Sequence, residues 1–443
     1  MNQQSWIPLL AAGGGAQPNP VMILPFALML MAIALMPYIH KHWWEAHYPK
    51  VAAGLGSITV LYYLFGLGET TRMLHAAEEY AGFIALIGSL FVVSGGIHIQ
   101  IRGRATPAAN CLLLFFGAVL SNLIGTTGAS MLLIRPWIRL NRDRISAFHV
   151  VFFIFIVSNV GGCLTPIGDP PLFLGYLRGI HFWWVLEHCW SAWALALLGL
   201  VGVFFFMDRA NHRRAALQPM ALRPEADPAG PTWKIEGLHN LAFLALILAA
   251  VFLRKPPGLS EGLMVVAAIA SYWTTPKRIH EANRFNFEPI REVAWLFIGI
   301  FATMVPALDY LETHAAQFGL NTPMKLYWFT GSLSAALDNA PTYLTFLAAA
   351  AGAQGLSLSQ PAQVIQFAHE HAGELIAISL ASVFFGASTY IGNGPNFMVK
   401  SICEQSKVST PGFADYILKY TLPVLLPILA VVAFVFFSGM VVK

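Results

Sequence analysis

The sequence predicts an all-α polytopic membrane protein: an inverted-topology repeat of about ten transmembrane helices, two re-entrant hairpins and two broken helices. Three observations predict it. Hydrophobic residues make up 57% of the 443 and charged residues 11%, against about 25% charged in a soluble domain. The apolar stretches run about 20 residues each, the length that crosses the hydrocarbon core. Two of them, 158–171 and 386–396, are interrupted by Gly, Pro and polar residues where a membrane helix would be continuous. Backbone leaves the helix at membrane depth only where protein or a water-filled cavity supplies its hydrogen bonds. A pair of such breaks, one per half, points to the binding site of a secondary transporter.

The candidate spans are 21–39, 51–67, 81–101, 108–134, 147–176, 182–207, 237–253, 261–275, 292–312, 325–349, 373–398 and 417–440. The first twenty residues contain no Lys or Arg and carry the run Gly13-Gly14-Gly15, so no signal peptide is expected. Lys and Arg gather on the cytoplasmic side of membrane proteins, and the stretch 108–134 uses this rule to set the topology. Arg102 and Arg104 precede it; Arg135, Arg139, Arg142 and Arg144 follow it. Both clusters are cytoplasmic only if the stretch enters and leaves on one side. Its middle, 121–128, holds two glycines and several hydroxyls, a plausible turn. It therefore reads as a hairpin opening inward.

From there 147–176 exits and 182–207 returns. The loop 208–236 is inside, with Arg209, Arg213, Arg214, Arg223 and Lys234, and its Pro219, Pro224, Pro228 and Pro231 mark a linker. Spans 237–253 and 261–275 make the next excursion, and 292–312 exits. The stretch 325–349 carries its own interruption at 337–342, and the loop after it, 350–372, has no Lys or Arg. It reads as a second hairpin, opening outward. The span 373–398 returns to Lys400, Lys407 and Lys419. All but six of the 26 basic residues then lie inside. Residues 1–207 form the first repeat and 237–443 the second, in inverted orientation. Trp43, Trp44, Trp183 and Trp184 fit interfacial aromatic anchors.

Several classes of function are excluded or left without support. The basic residues flank membrane segments, so no nucleic-acid partner is expected. Cys111, Cys163, Cys189 and Cys403 are scattered, without the spacing of a metal site or disulfide framework. The glycine runs follow no strand, which excludes a dinucleotide fold. His369-Glu370-His371 lacks the second metalloprotease histidine four residues on, where Gly373 stands. An intramembrane enzyme would need a nucleophile or metal constellation at membrane depth, and none is visible. No cofactor is expected.

The breaks carry the chemistry. A broken helix exposes carbonyls at one end and amides at the other. Carbonyls, with Ser, Thr and Asn side chains, suit Na⁺; amides suit anions. Ser121, Asn122, Thr126 and Thr127 at the first hairpin tip, with Ser158, Asn159, Gly161, Gly162 and Thr165 at the first break, form one candidate half-site. Ser334, Asp338, Asn339 and Thr342, with Ser388, Thr389, Asn393 and Asn396, form the other. Small residues also permit close helix packing, which is the competing explanation for each Gly, Ser and Thr. The sharpest signals are Asp169 and Asp338. An aspartate at the middle of a membrane helix costs about 2.5–3.5 kcal/mol, and no Lys or Arg lies within either interruption. Each aspartate also fits a helix N-cap, Asp169 ahead of Pro170 and Asp338 ahead of Pro341.

The run Asn159, Gly161-Gly162, Thr165-Pro166-Ile167-Gly168 and Pro170-Pro171 resembles the first unwound helix of the ion transporter superfamily. That superfamily includes NhaD-type sodium/proton antiporters, arsenite exporters, citrate transporters and sodium-coupled dicarboxylate transporters. Ser121-Asn122 and, less closely, Asp338-Asn339 sit where it places its hairpin-tip Ser-Asn-Thr signatures. Gly392-Asn393-Gly394-Pro395-Asn396 resembles its second break. The resemblance covers nearly the whole chain after about residue 20. It implies a scaffold and a transport domain, a homodimer, elevator-type movement, and a multi-pass location in a bacterial inner membrane. The chain also departs from the dicarboxylate branch: Leu123 replaces a tip Thr, Asp338 and Ala340 replace Ser and Thr, and Asp169 stands where a Ser or Thr is usual. These acidic, arginine-free breaks favour a sodium/proton antiporter. The metal ligands would be Ser121, Asn122, Asn159, Asp169, Asp338 and Asn339 around Na⁺ as transported or coupling ion. The alternative is a sodium- or proton-coupled carrier of citrate or another organic anion.

Overall fold

The computed structural model describes residues 18–102, 106–216, 232–253, 256–314, 317, 319–320 and 322–439. Gly13–Gly15, Arg104, Arg223 and the linker prolines lie outside the described residues. The chain opens with α1 (Leu24–Ile39), α2 (Lys41–Leu61) and α3 (Thr70–Gly95). α2 runs on through a π-helical turn, Tyr62–Leu67, that ends at Gly68 in the left-handed conformation. α3 starts well before the expected span and stops at Gly95. The chain then forms β1 (His98–Arg102), paired antiparallel with β2 (Thr232–Glu236) from the linker.

α4 (Pro107–Leu140) is the first hairpin. Thr106 caps its start, accepting from Ala109 N at 3.2 Å. A straight helix would hold Asn110 and Asn141 about 46 Å apart at 1.5 Å per residue. Their amides instead bond each other reciprocally at 2.7 and 3.0 Å. The chain reverses at Gly125, whose φ of 77° and ψ of 155° only glycine adopts at low cost. The turn sits inside the stretch that the sequence marks.

A buried clasp ties the root of this hairpin to the next two elements, α5 (Ala147–Ile156) and α7 (Trp184–Ala216). Asp208 of α7 accepts from Asn110 Nδ2 at 2.8 Å, Arg144 Nη2 at 3.0 Å and His149 Nε2 at 3.1 Å. His149 Nδ1 in turn meets Ser146, the N-cap of α5. Of these residues sequence reading used only Arg144, as a topology marker, although an Asp near the end of an apolar segment and beside an arginine-rich turn was the available signal. α7 also runs past the expected end at 207, because Asp208–Ala216 contains good helix formers and faces solvent on its outer side.

The second half repeats the plan. After α8 (Asn240–Val251), α9 (Leu259–Thr274), α10 (Lys277–Ala282) and α11 (Glu288–His314) comes the second hairpin, α12 (Pro323–Ser334) and α13 (Asn339–Ala353). The expected broken spans are broken. The first is α5 and α6 (Pro170–Leu177); the second is α15 (Ala372–Phe384) and α16 (Gly394–Gln405). A short α14 (Pro361–Glu370) meets α15 at a 98° bend, and the run from α17 (Phe413–Tyr416) to α18 (Leu426–Phe437) closes the described chain.

Among the described residues seven helical runs are long and apolar enough to cross a membrane, and one of these is α4, which turns back. The count is below the expected ten because the broken spans are short pieces and α8 and α9 have only 12 and 16 residues. Leu198, Phe206, Val266 and Trp273 stand on outer faces with more than half their surface exposed, which requires lipid around them. The chain is an integral, multi-pass membrane protein. Trp43 and Trp183 are exposed as anchors should be, but Trp44 and Trp184 are buried. Adjacent residues on a helix point to different faces, so one of each pair turns inward, Trp184 against His188 and Trp44 against Tyr48. The helices pack as two groups: α1, α2, α3, α8, α9 and α11 together, and the hairpins and broken helices with α7 and α18. α3 against α4, and α11 against α13, join them.

Candidate functional site

Each hairpin tip is bonded to the break it faces, and the two sets of bonds match. Thr165 Oγ1 donates to Asn122 O at 2.6 Å and accepts from Gly168 N at 3.1 Å. Thr389 Oγ1 donates to Ala335 O at 2.7 Å and accepts from Gly392 N at 3.1 Å. Ser121 Oγ reaches Val157 O at 2.7 Å; Ser334 Oγ reaches Ser382 O at 2.6 Å. A Cβ on Gly392 would meet Gly386 O at 2.6 Å, and one on Gly168 would collide with Gly162 O. These glycines are needed because backbone packs on backbone. In this register Thr126 corresponds to Asn339, and Asp169 to Asn393.

The two half-sites form one cluster, and Asp169 is at their junction. Asp169 is fully buried. Its Oδ1 accepts from Thr126 Oγ1 at 2.8 Å and Asn393 Nδ2 at 3.1 Å; its Oδ2 accepts from Asn339 Nδ2 at 2.9 Å. One donor thus comes from the first hairpin, one from the second hairpin and one from the second break. Asp169 occupies the N-cap position of α6 ahead of Pro170, as expected, but its carboxylate makes no bond to that helix start and turns into the cluster instead. Among the described residues it takes part in no ion pair.

Asn393 Nδ2 also lies 3.2 Å from Ser158 O and 3.1 Å from Asn159 Oδ1. Three oxygens therefore converge on a nitrogen with two hydrogens to give. Asn159 Nδ2 donates to Asn396 Oδ1 at 2.7 Å, and Asn396 Nδ2 to Gly386 O and Thr389 O, both at 2.8 Å. Ser158 Oγ meets Ser130 Oγ at 2.7 Å. Asn122 Nδ2 donates to Gly161 O at 2.6 Å, and its Oδ1 accepts from Leu164 N at 2.8 Å.

Other candidates serve elsewhere. Asp338 caps α13, accepting from Ala340 N at 3.0 Å, and is not a partner of Asp169. Thr342 Oγ1 bonds back to Asp338 O at 2.9 Å within its own helix. Thr127 lines a small cleft between the first hairpin tip and α3. Gly161 packs so closely on Ala118 that a Cβ would lie 2.6 Å from its Cα. Most carbonyls of the breaks are already engaged. Trp193 Nε1 donates to Gly161 O at 3.1 Å, Tyr416 OH to Ala387 O at 2.8 Å, and Thr421 Oγ1 to Ser388 O at 2.7 Å. Sequence reading passed over these three donors, which stand on neighbouring helices far along the chain. The correspondence of Asp169 with Asn393 did leave a signal: Thr165-Pro166-Ile167-Gly168-Asp169 and Thr389-Tyr390-Ile391-Gly392-Asn393 share one pattern.

Two discontinuous helices, each meeting a hairpin tip around a buried polar cluster, are the arrangement that forms binding sites in secondary transporters. The chain belongs to the family described as "Putative citrate transport", whose model matches residues 16–437. That family is a citrate-transporter-like branch of the ion transporters, and it is not an enzyme family. Over 167 residues the chain is also 26% identical to an uncharacterized transporter of Mycobacterium tuberculosis strain H37Rv, and equally to that of strain CDC 1551 / Oshkosh. Each match covers 35% of this chain, and the chain spans 39% of the length of these relatives.

Proposed function

We propose that the chain is a secondary active transporter coupled to cations through Asp169, and in its simplest form a sodium/proton antiporter. The observation that carries this reading is a fully buried carboxylate held by three neutral donors and, among the described residues, paired with no Lys, Arg or His. An ionised carboxylate sealed from water without a partner is strongly disfavoured. Asp169 therefore holds either a proton or a bound cation. With a proton on Oδ1, the Thr126 hydroxyl reverses its role and accepts. With Na⁺, half a turn of the Asn393 amide presents its oxygen to Ser158 O, Asn159 Oδ1 and Asp169 Oδ1, forming a four-oxygen cup. The cup draws on both halves, so a movement that parts them releases the ion. Asp338 acts as a cap in this scheme. The matched bonding of the two breaks supports an inverted repeat, 1–207 against 237–443, with hairpins opening to opposite sides. A homodimer, elevator-type movement and a bacterial inner membrane complete the proposal.

The family match favours a second reading, in which the same coupled site moves citrate or another organic anion. Proteoliposomes loaded with a pH-sensitive dye separate the two. An imposed Na⁺ or Li⁺ gradient that drives saturable proton flux without citrate supports antiport. Labelled citrate uptake that requires Na⁺ or a proton gradient supports the carrier. If neither flux depends on a cation gradient, coupling through Asp169 is wrong.

A further inference from the structure

The outer end of α6 is where the two groups of helices are pinned to each other. Arg178, the C-cap of α6, reaches across to Glu79 on α3. Its Nη2 donates to Glu79 Oε2 at 2.9 Å, and its Nε lies 2.8 Å from Oε1. Nη1 reaches Leu358 O, in the loop after α13, at 3.5 Å, so the arginine is also tied to its own group. An arginine held on both oxygens of a carboxylate makes the strongest kind of charge-assisted pair. The Arg178 side chain is 12% exposed and the Glu79 side chain 20%, which limits screening by water and salt. Two residues before Arg178, Tyr176 OH donates to Val251 O of α8 at 2.7 Å. Both bonds cross from a broken helix to the group of α1, α2, α3, α8, α9 and α11. In the topology set by the basic residues, Arg178, Glu79 and Val251 all lie toward the outer face. Deeper in, α3 meets the first half-site through apolar surface: Leu86, Leu90 and Phe91 border one small cleft with Ile124, Ile167 and Phe173. Apolar contact has no preferred direction and survives sliding. The ion pair does not: one helical turn of displacement, about 5.4 Å, takes its atoms out of reach.

We infer that Glu79 and Arg178 form an outer latch, which holds the hairpins and broken helices against the other group in the position seen here and opens when they move. Arg178 stands at the far end of α6 from Asp169, so it acts on the position of the cluster and not on the ion. The inference rests on the rigid-body movement of the proposed function. Its test is read without cargo, so that the two fail separately.

Spin labels on Ala77→Cys of α3 and Ser359→Cys of the loop after α13, both exposed positions, report the distance between the groups by pulsed electron paramagnetic resonance in lipid nanodiscs. Cys111, which is only partly buried, is replaced by Ala throughout, and the three buried cysteines stay. Wild type, Glu79→Gln, Arg178→Gln and the exchanged pair Glu79→Arg with Arg178→Glu are compared. Cation-driven proton flux is measured on the same proteins. Each single variant should raise the population away from the latched distance by about tenfold, the loss of one charge-assisted bond. The exchanged pair should return most of it, which a folding defect would not. If wild type and both single variants share one distance distribution, the latch is refuted, and flux in wild type would leave the transporter reading standing. If the distances shift and are restored while no cation or citrate gradient drives flux, the transporter reading fails and the latch stands. If the exchanged pair behaves like the single variants, the attraction between the two side chains is not what holds the groups, and the inference is overturned.

Discussion

Replacing Asp169 with Asn changes one oxygen to an NH₂ group of nearly the same size. The retained oxygen still serves Thr126 and Asn393. The new nitrogen faces Asn339 Nδ2, which lies 2.9 Å from Oδ2 in the native chain. Two buried donors in contact cost a hydrogen bond and leave a donor unsatisfied, about 1–3 kcal/mol. The cluster has a way to relax. If the Asn339 amide turns over, its oxygen accepts from residue 169 and its nitrogen faces Ser334 Oγ. That hydroxyl now donates to Asn339 Oδ1 at 2.7 Å, and it keeps Ser382 O at 2.6 Å as an alternative acceptor. The net loss should therefore fall near the lower end, about 1 kcal/mol, with melting within about 2–4 °C of wild type. Transport should respond quite differently, because an amide cannot take up or release the coupled proton. Purified Asp169→Asn should melt almost normally while its cation-driven proton flux in proteoliposomes drops to background. Asp338→Asn is the control: Asn caps a helix about as well as Asp, so both stability and flux should stay near wild type. Wild-type proton-coupled flux in a folded Asp169→Asn protein would refute the reasoning.

Gly392→Ala forces a Cβ to within 2.6 Å of Gly386 O and 2.8 Å of Ser334 O; it should disrupt the second break and abolish transport, whereas Gly202→Ala, in an open part of α7 with no atom within 4 Å, should be neutral or slightly stabilising in thermal melts. Asp208→Asn strips the carboxylate from Arg144 and His149 and should destabilise the chain by about 3–5 kcal/mol, read as a large drop in melting temperature. The double replacement of Arg144 and Asp208 by apolar residues should recover part of that loss, since it leaves no buried charge unpaired.

Arginines on both sides of 108–134 made the first hairpin legible, because charge sorting across a membrane acts on local sequence. Asp169 was legible for a similar reason: an aspartate in an apolar stretch is costly wherever its partners come from. Its partners were not, since Asn339 and Asn393 lie 170 and 224 residues away and side-chain convergence over such distances is set by packing. Asp338 looked like the natural mate of Asp169, yet its carboxylate serves the adjacent amide of Ala340, a short-range bond that local sequence also allowed. The ribbon between β1 and β2 was hidden because each strand is five residues long and each needs the other to form.

Asp208 reaches the hairpin root from 64 residues downstream of Arg144. At a synthesis rate of about 5–20 residues per second, it leaves the ribosome roughly 3–13 s after its partner. Through that interval the Arg144 guanidinium has no carboxylate and must stay in water or among headgroups. Both arms of α4 are therefore made before the residue that fastens them. α7 is the closing piece of the first half during biogenesis, and a nascent chain halted short of Asp208 should leave the root of the hairpin open to protease.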